Sequence, residues 1–279
     1  MAGNRSTGAV DRATDSTAFE RAARAGHVVS GVVHLLIAYL IVRIAVGSSG
    51  NADQSGALSE VASKPGGAVA LWVAAAAFLA MALWRLAEMV VGQHPGESSG
   101  GTDSADGESG DESDWFDRGK ALGLAVVYIG FAITAVQFAR GSGKSSGEQN
   151  AGLSARLMES GLGKAVLVVV GLVIVAVGVY HVYKGASKNF MDDLKTNDSK
   201  VIEPLGIVGY IAKGIVLAGA GILVIVAVWT ADPSKATGID GAVKTLGDAP
   251  FGKILLFLAA IGIAVYGLYC FVMARFAKM

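Results

Sequence analysis

Three times along this chain two apolar, helix-length runs follow one another across a short polar loop, and the same punctuation recurs with them. Each second run opens on a glycine and meets an aromatic residue seventeen positions later: Gly67 and Trp84, Gly163 and Tyr180, Gly252 and Tyr269. A fixed internal period identifies the repeating structural unit before any single residue does. Here that unit is a pair of apolar helices. A second register agrees: His34, Tyr128 and Leu217 each follow an apolar pair and stand 33, 35 and 35 residues before the opening glycine of their repeat.

The apolar runs cover residues 28–42, 68–84, 121–139, 165–183, 214–231 and 254–274, with 205–212 extending the fifth beyond Lys213. Most come close to the ~20 residues that cross ~30 Å of hydrocarbon. The first two are shorter and reach spanning length when Arg43 and Arg85 extend their charged ends to an interface; Lys213 is read the same way. Charged residues are 16% of the chain, against about a quarter in a soluble protein. Runs this long and continuous do not suit barrel strands, which alternate over about ten residues. In lipid the backbone must satisfy its own hydrogen bonds, so even the valine-rich run at 166–182 is expected to be helical. The expected fold is an all-α integral membrane protein with six transmembrane helices. They form three parallel helical-hairpin repeats in a pseudo-threefold bundle.

The divisions are a cytoplasmic tail at 1–19, repeat one at 20–95, an acidic linker at 96–117, repeat two at 118–200 and repeat three at 201–279. The linker is rich in Gly, Ser, Asp and Glu, repels itself and buries no core, and is read as a disordered tether. The first helix follows basic residues like a secretion signal, but its long polar lead and its counterparts in helices three and five mark it as retained. Lys and Arg are more numerous in the N-terminal segment, the loops after helices two and four and the C-terminal end than on the opposite side. Both termini are therefore placed in the cytoplasm and the protein in the plasma membrane.

Each opposite loop starts with small residues and gains a short amphipathic stretch: Leu58, Val61 and Ala62; Leu153, Leu157 and Met158; Ile239, Val243 and Leu246. Spacings of three and four suit a surface helix. The late aromatics Trp84, Tyr180 and Tyr269 are expected at the membrane boundary, ring in the acyl region and polar edge in the headgroups.

Ionisable groups inside a bilayer are costly and therefore candidates for function. His34 is the deepest, with His27 on the same helical face. Such a pair suits haem ligation, a proton relay or an interhelical hydrogen bond. Tyr128 and Leu217 replace His34 in the other repeats and His181 lies at another depth, so the hydrogen bond is the reading adopted and no cofactor is assigned. Arg85 and Glu88 are spaced to pair along helix two; Glu88 matches Lys184 in repeat two, and a contact between those two is the alternative. Cys270, the single cysteine, forms no intrachain disulfide and is read as a packing residue. Zero net charge argues against a nucleic-acid surface. Phosphate-binding loops, H-E-x-x-H, Gly-x-Ser-x-Gly and paired intramembrane carboxylates are all missing, so no catalytic or metal-ligating residue is named. Helix glycines are many: Gly119, Gly123, Gly130, Gly171, Gly178, Gly219, Gly221, Gly262 and Gly267. They let helices approach closely.

The G-x-x-x-x-G openings at Gly26/Gly31 and Gly209/Gly214, the turns Pro65-Gly66-Gly67 and Pro250-Phe251-Gly252, and the three late aromatics together resemble an actinobacterial-type family of membrane proteins. That family is classed as a domain of unknown function and built from three two-helix repeats. The resemblance covers about residues 20–277 without the linker. Repeat two departs from it, with Lys120 and Ala125 at the glycine positions. It implies a membrane location and supplies no activity. The expected role is non-enzymatic: structural, scaffolding or accessory to a membrane assembly, with the lipid bilayer and other membrane proteins as partners. The alternative is a small-solute or ion pathway along the pseudo-threefold axis, lined by His34, Tyr128, Thr134 and Gln137.

Overall fold

The computed structural model describes residues 17–91, 110–195 and 199–277. Among them the chain is helical: α1 (Thr17–Ala45), α2 (Gln54–Ala62), α3 (Gly67–Val91), α4 (Gly110–Ala139), α5 (Ser146–Met158), α6 (Gly161–Ala186), α7 (Ser199–Thr230), α8 (Ile239–Asp248) and α9 (Gly252–Phe276). Single 3-10 turns lie at Asn189–Met191 and Pro233–Lys235. The one pairing outside helices among the described residues is an isolated bridge between Leu194 and Ala277.

Five stretches are long and apolar enough to cross a membrane: Arg24–Ala45, Leu122–Ala139, Gly161–Ala186, Lys200–Thr230 and Gly252–Phe276. The chain thus has the character of a multi-pass membrane protein. The sixth expected span, α3, is apolar over the residues whose side chains are described, Gly67–Leu83. α3 has 25 residues, about 38 Å of helix, and the side chains of Trp84, Arg85 and Glu88 lie outside the described residues. The linker expectation also changes at its C-terminal edge. Residues 110–117 are the first turns of α4, while residues 92–109 lie outside the described residues.

The three loop helices stand where the amphipathic stretches predict them, and part of the apolar set is packed, while Leu153 of α5 stays exposed. Val243 of α8 is buried against Ile37, Ile41, Ala45, Leu256 and Ile263. Leu157 and Met158 of α5 pack on Leu167, Val224 and Ala227. The opening glycines now have a physical reason. A β-carbon on Gly67 would collide with the carbonyl of Val61, on Gly163 with that of Leu157, and on Gly252 with that of Gly247. The chain turns from loop helix to spanning helix so tightly that only a residue without a side chain fits. At Gly163 the free N–H is taken up by Ser160 Oγ at 3.0 Å, which caps α6.

Two compact units divide the chain, Leu58–Gly143 forming most of one, and Ala23–Ala57 with Lys144–Lys278 the other. The division cuts through the first two hairpins, because close packing joins consecutive repeats. In the first unit α3 of repeat one packs on α4 of repeat two. In the second unit α6 of repeat two packs on α7 of repeat three, and α9 of repeat three packs on α1 of repeat one, where Gly31 and Gly267 meet. The hairpin of repeat three is also closed, α7 against α9.

The residues at these contacts are small and repeat-equivalent. Between α6 and α7, a β-carbon on Gly178 would lie 2.7 Å from Gly214 O, and one on Gly171 3.0 Å from Gly221 O. Carried through the repeat register, Gly178 and Gly214 correspond to Gly267 and Gly31, and to Ala82 and Ala125; Gly171 and Gly221 correspond to Ala260 and Ala38, and to Ala75 and Ala132. All twelve are buried. In a bilayer, where lipid tails are as apolar as leucine, such small residues let backbones touch and gain dispersion. By contrast, Gly119, Gly123 and Gly130 of α4 face open space. In the first unit the packing residues are alanines instead.

Candidate functional site

A part-buried assembly of polar and aromatic side chains lies in the second unit, where α1, α7 and α9 converge. Three glycines make the convergence possible. Gly31 meets the backbone of Gly267, and a β-carbon on Gly209 would lie 2.7 Å from Tyr266 Cα. Tyr266 is thereby wedged between α1 and α7 and is 6% exposed.

On one side its ring packs against His34 of α1, with centroids 4.8 Å apart and planes tilted by 59°. His34 Nδ1 lies 2.7 Å from Ser30 O. A carbonyl oxygen only accepts, so Nδ1 carries the proton, and in the neutral ring the Nε2 lone pair is left for another donor. On the other side, Lys213 Nζ donates to the Tyr266 hydroxyl at 2.9 Å and lies 4.2 Å from the ring centroid. Below, Ser30 Oγ and Cys270 Sγ are 3.6 Å apart. Tyr210, Tyr269 and Phe190 complete the assembly with ring centroids 5.4–5.5 Å apart. Phe190 comes from the 3-10 turn between α6 and α7, and a β-carbon on Gly206 would strike its ring.

Lys213 carries the chemistry of this place. It sits within the Lys200–Thr230 span, and no carboxylate among the described residues pairs with it. A tyrosine hydroxyl and a ring face replace part of its hydration. An ammonium so placed attracts an anionic group or exchanges a proton, and His34 lies on the opposite face of the same tyrosine.

The candidates from sequence are distributed as follows. His34 belongs to this assembly, but its hydrogen bond goes to Ser30 O of its own helix and not to a neighbouring one; across helices it meets the Tyr266 ring. Lys213 does not extend to an interface but turns inward to Tyr266. Tyr269 is fully buried, its hydroxyl donating to Phe190 O at 3.3 Å, so its ring and hydroxyl meet protein. Tyr180 is half exposed, edge-on to His181 at 6.0 Å. Lys184 pairs with Asp193 at 2.7 Å. The side chains of Trp84, Arg85 and Glu88 lie outside the described residues. Tyr128 packs beside Phe78, centroids 6.4 Å apart, within the first unit, where Thr134 Oγ1 bonds Gly130 O of its own helix at 2.8 Å.

Tyr266 escaped the sequence reading, yet a signal was there. The register puts Met81 and Val177 at its place, and Ser30 and Leu124 at that of Lys213. A polar side chain in one repeat where the others are apolar marks a specialised position.

The comparisons agree with the three-repeat reading. The sequence profile described as Domain of Unknown Function (DUF1206) matches residues 25–92, 120–188 and 208–277. The chain is also similar to the Bacillus subtilis (strain 168) protein "Uncharacterized protein YxxB", 25% identical over 265 residues that cover 93% of this chain and 92% of that one. That relative comes from Bacillus, so the resemblance is not confined to actinobacterial-type proteins. No solved structure matches. Three matches covering most of the chain, one for each helix pair, place this protein in the DUF1206 family.

Proposed function

We propose that the chain is a non-enzymatic plasma-membrane protein with a structural role, a scaffold or accessory subunit for another membrane protein. In this reading α3 supplies the sixth span and the three repeats close into a pseudo-threefold bundle. The observation that carries it is the set of twelve buried small residues at matching register, of which Gly178 and Gly214, Gly171 and Gly221, and Gly267 and Gly31 meet backbone to backbone between consecutive repeats. Pairs locked backbone to backbone favour a rigid body over a moving gate. Arg24, two turns into α1, donates to Ala274 O at 2.8 Å and Arg275 O at 2.7 Å near the end of α9, which supports placing both termini on one side. The excess of Lys and Arg there supports the cytoplasm. Outward apolar side chains such as Trp229, Leu162 and Phe251, 79–84% exposed, suit contact with lipid or a partner's helices.

The test is purification from the native membrane in mild detergent followed by mass spectrometry. A stoichiometric membrane protein retained with the chain supports the scaffold. A chain that purifies alone and moves solute in proteoliposomes overturns it.

A second reading, passage of a small solute or ion, is favoured by one observation: the uncompensated Lys213 ammonium on Tyr266, with His34 across the ring. Flux abolished by Lys213→Met in a folded protein would promote it.

A further inference from the structure

The second unit holds another buried polar group, far simpler in composition, where α2, α5 and α8 meet. Asp53, Ser55 and Asp240 are 5%, 1% and 3% exposed. Asp53 Oδ1 accepts from Gly56 N at 2.9 Å and Ser55 Oγ at 2.5 Å, which caps the start of α2. Ser55 Oγ in turn accepts from Ser146 N of α5 at 3.0 Å. Asp240 Oδ1 accepts from Ala52 N at 2.8 Å, and its Oδ2 from Lys244 Nζ at 2.6 Å. Three of the four carboxylate oxygens are thus satisfied. The fourth, Asp53 Oδ2, is buried and has no hydrogen-bond partner.

A buried carboxylate oxygen left bare costs far more than its capping bond returns, so capping alone does not account for an aspartate here. Serine, threonine or asparagine caps as well without the surplus charge. The group holds two carboxylates and one ammonium, a surplus of one negative charge. The repeat register sharpens the point: Asp240 stands where repeat one has Ser55 and repeat two has Ala151, each before a shared glycine (Gly56, Gly152, Gly241). Lys244 also lines a surface cleft of about 420 Å³ with Gly47, Asp248 and Lys253, so the group's only ammonium borders solvent.

We propose that Asp53 Oδ2 anchors a binding site for a monovalent alkali cation of sodium size. The charge matches one for one. Hard oxygen donors suit such an ion. Among the described residues no cluster of three or more His, Cys, Asp or Glu side chains is present, which disfavours a tight divalent site. A bound ion would clamp the α2, α5 and α8 connections onto one another. This inference does not depend on the scaffold reading.

The test is thermal unfolding of the full chain in detergent at constant ionic strength, in sodium, potassium or N-methylglucamine chloride, with calcium added in a separate arm. Sodium raises the midpoint over N-methylglucamine by about 2–4 °C. Asp53→Asn keeps the cap and loses the sodium increment, while its midpoint in N-methylglucamine equals or exceeds that of the parent. Asp53→Ser, which also caps, behaves likewise and serves if the asparagine variant does not fold. An equal midpoint in sodium and N-methylglucamine overturns the proposal, as does an increment that survives both substitutions. A shift with calcium alone overturns the monovalent assignment.

Discussion

Gly178 and Gly214 face each other across α6 and α7 so closely that a β-carbon on either would press on the other's carbonyl oxygen, at 2.7 and 2.5 Å. Gly267 and Gly31 repeat the relationship across α9 and α1. The contact therefore belongs to the repeat rather than to one pair of helices, and it runs between neighbouring repeats.

Gly178→Ala overfills this contact and is expected to destabilise the protein by about 1–3 kcal/mol, the usual cost of a methyl group forced into a packed site. Gly130→Ala meets nothing within 4 Å. It should be neutral or stabilise by up to about 1 kcal/mol through helix propensity. Thermal unfolding in one detergent, comparing the two variants, checks both.

Tyr266→Phe removes the oxygen that Lys213 donates to and leaves the ammonium only the ring face. The expected loss is about 1–2 kcal/mol. In a Lys213→Met background the same change should cost clearly less, because no buried donor is stranded. A double-mutant cycle showing strict additivity would mean that the bond contributes nothing.

His34→Gln keeps a donor for Ser30 O and an acceptor, and is expected to cost about 1 kcal/mol or less. A folded His34→Gln protein that has lost its cellular function would contradict a merely structural histidine.

Cys270 is fully buried, so the parent chain should resist maleimide labelling in intact cells and serve as the background for topology mapping. Cysteines at Ser48, Ser142 and Ser234 should label from outside and one at Ser104 should not. Outside labelling of Ser104 would reverse the orientation.

Asp232 caps the Pro233–Lys235 turn, accepting from Ser234 Oγ at 2.5 Å and Ser234 N at 3.1 Å. The Ser234 hydroxyl, with smaller help from its N–H and from Lys235, holds the carboxyl below its ordinary value of 3.8. A depressed value means stabilisation that is complete above the unfolded value and lost as pH falls through the folded one. A carboxyl titration by NMR should give a midpoint below 3.8, and Ser234→Ala should move it back upward.

Helices, their loop caps and the tight turns at Gly67, Gly163 and Gly252 were legible from the sequence because each depends on residues close in the chain. Partner choice was not. A hydropathy run shows that a helix crosses lipid, but not which neighbour it touches, and the apolar pattern of α6 is almost uniform around its axis. Lys213 read as a snorkelling residue because its distance along α7 was visible and the hydroxyl of Tyr266, 53 positions away, was not. Tyr269 read as a lipid-boundary aromatic for the same reason: its place along the helix was visible, but the covering Phe190 comes from a loop beyond α6. The small pairs were half visible. The glycines stood out, while Ala82 and Ala125, which occupy the same places in the first unit, look like any helix alanine.

The bonds from Arg24 to Ala274 O and Arg275 O bring the early part of α1 and the end of α9 within one side chain's reach. A short covalent joint there would demand little rearrangement. The order of the six apolar helices then becomes a matter of where the polypeptide is cut, and a circularly permuted chain beginning in the acidic stretch at 96–109 would carry every helix contact described above.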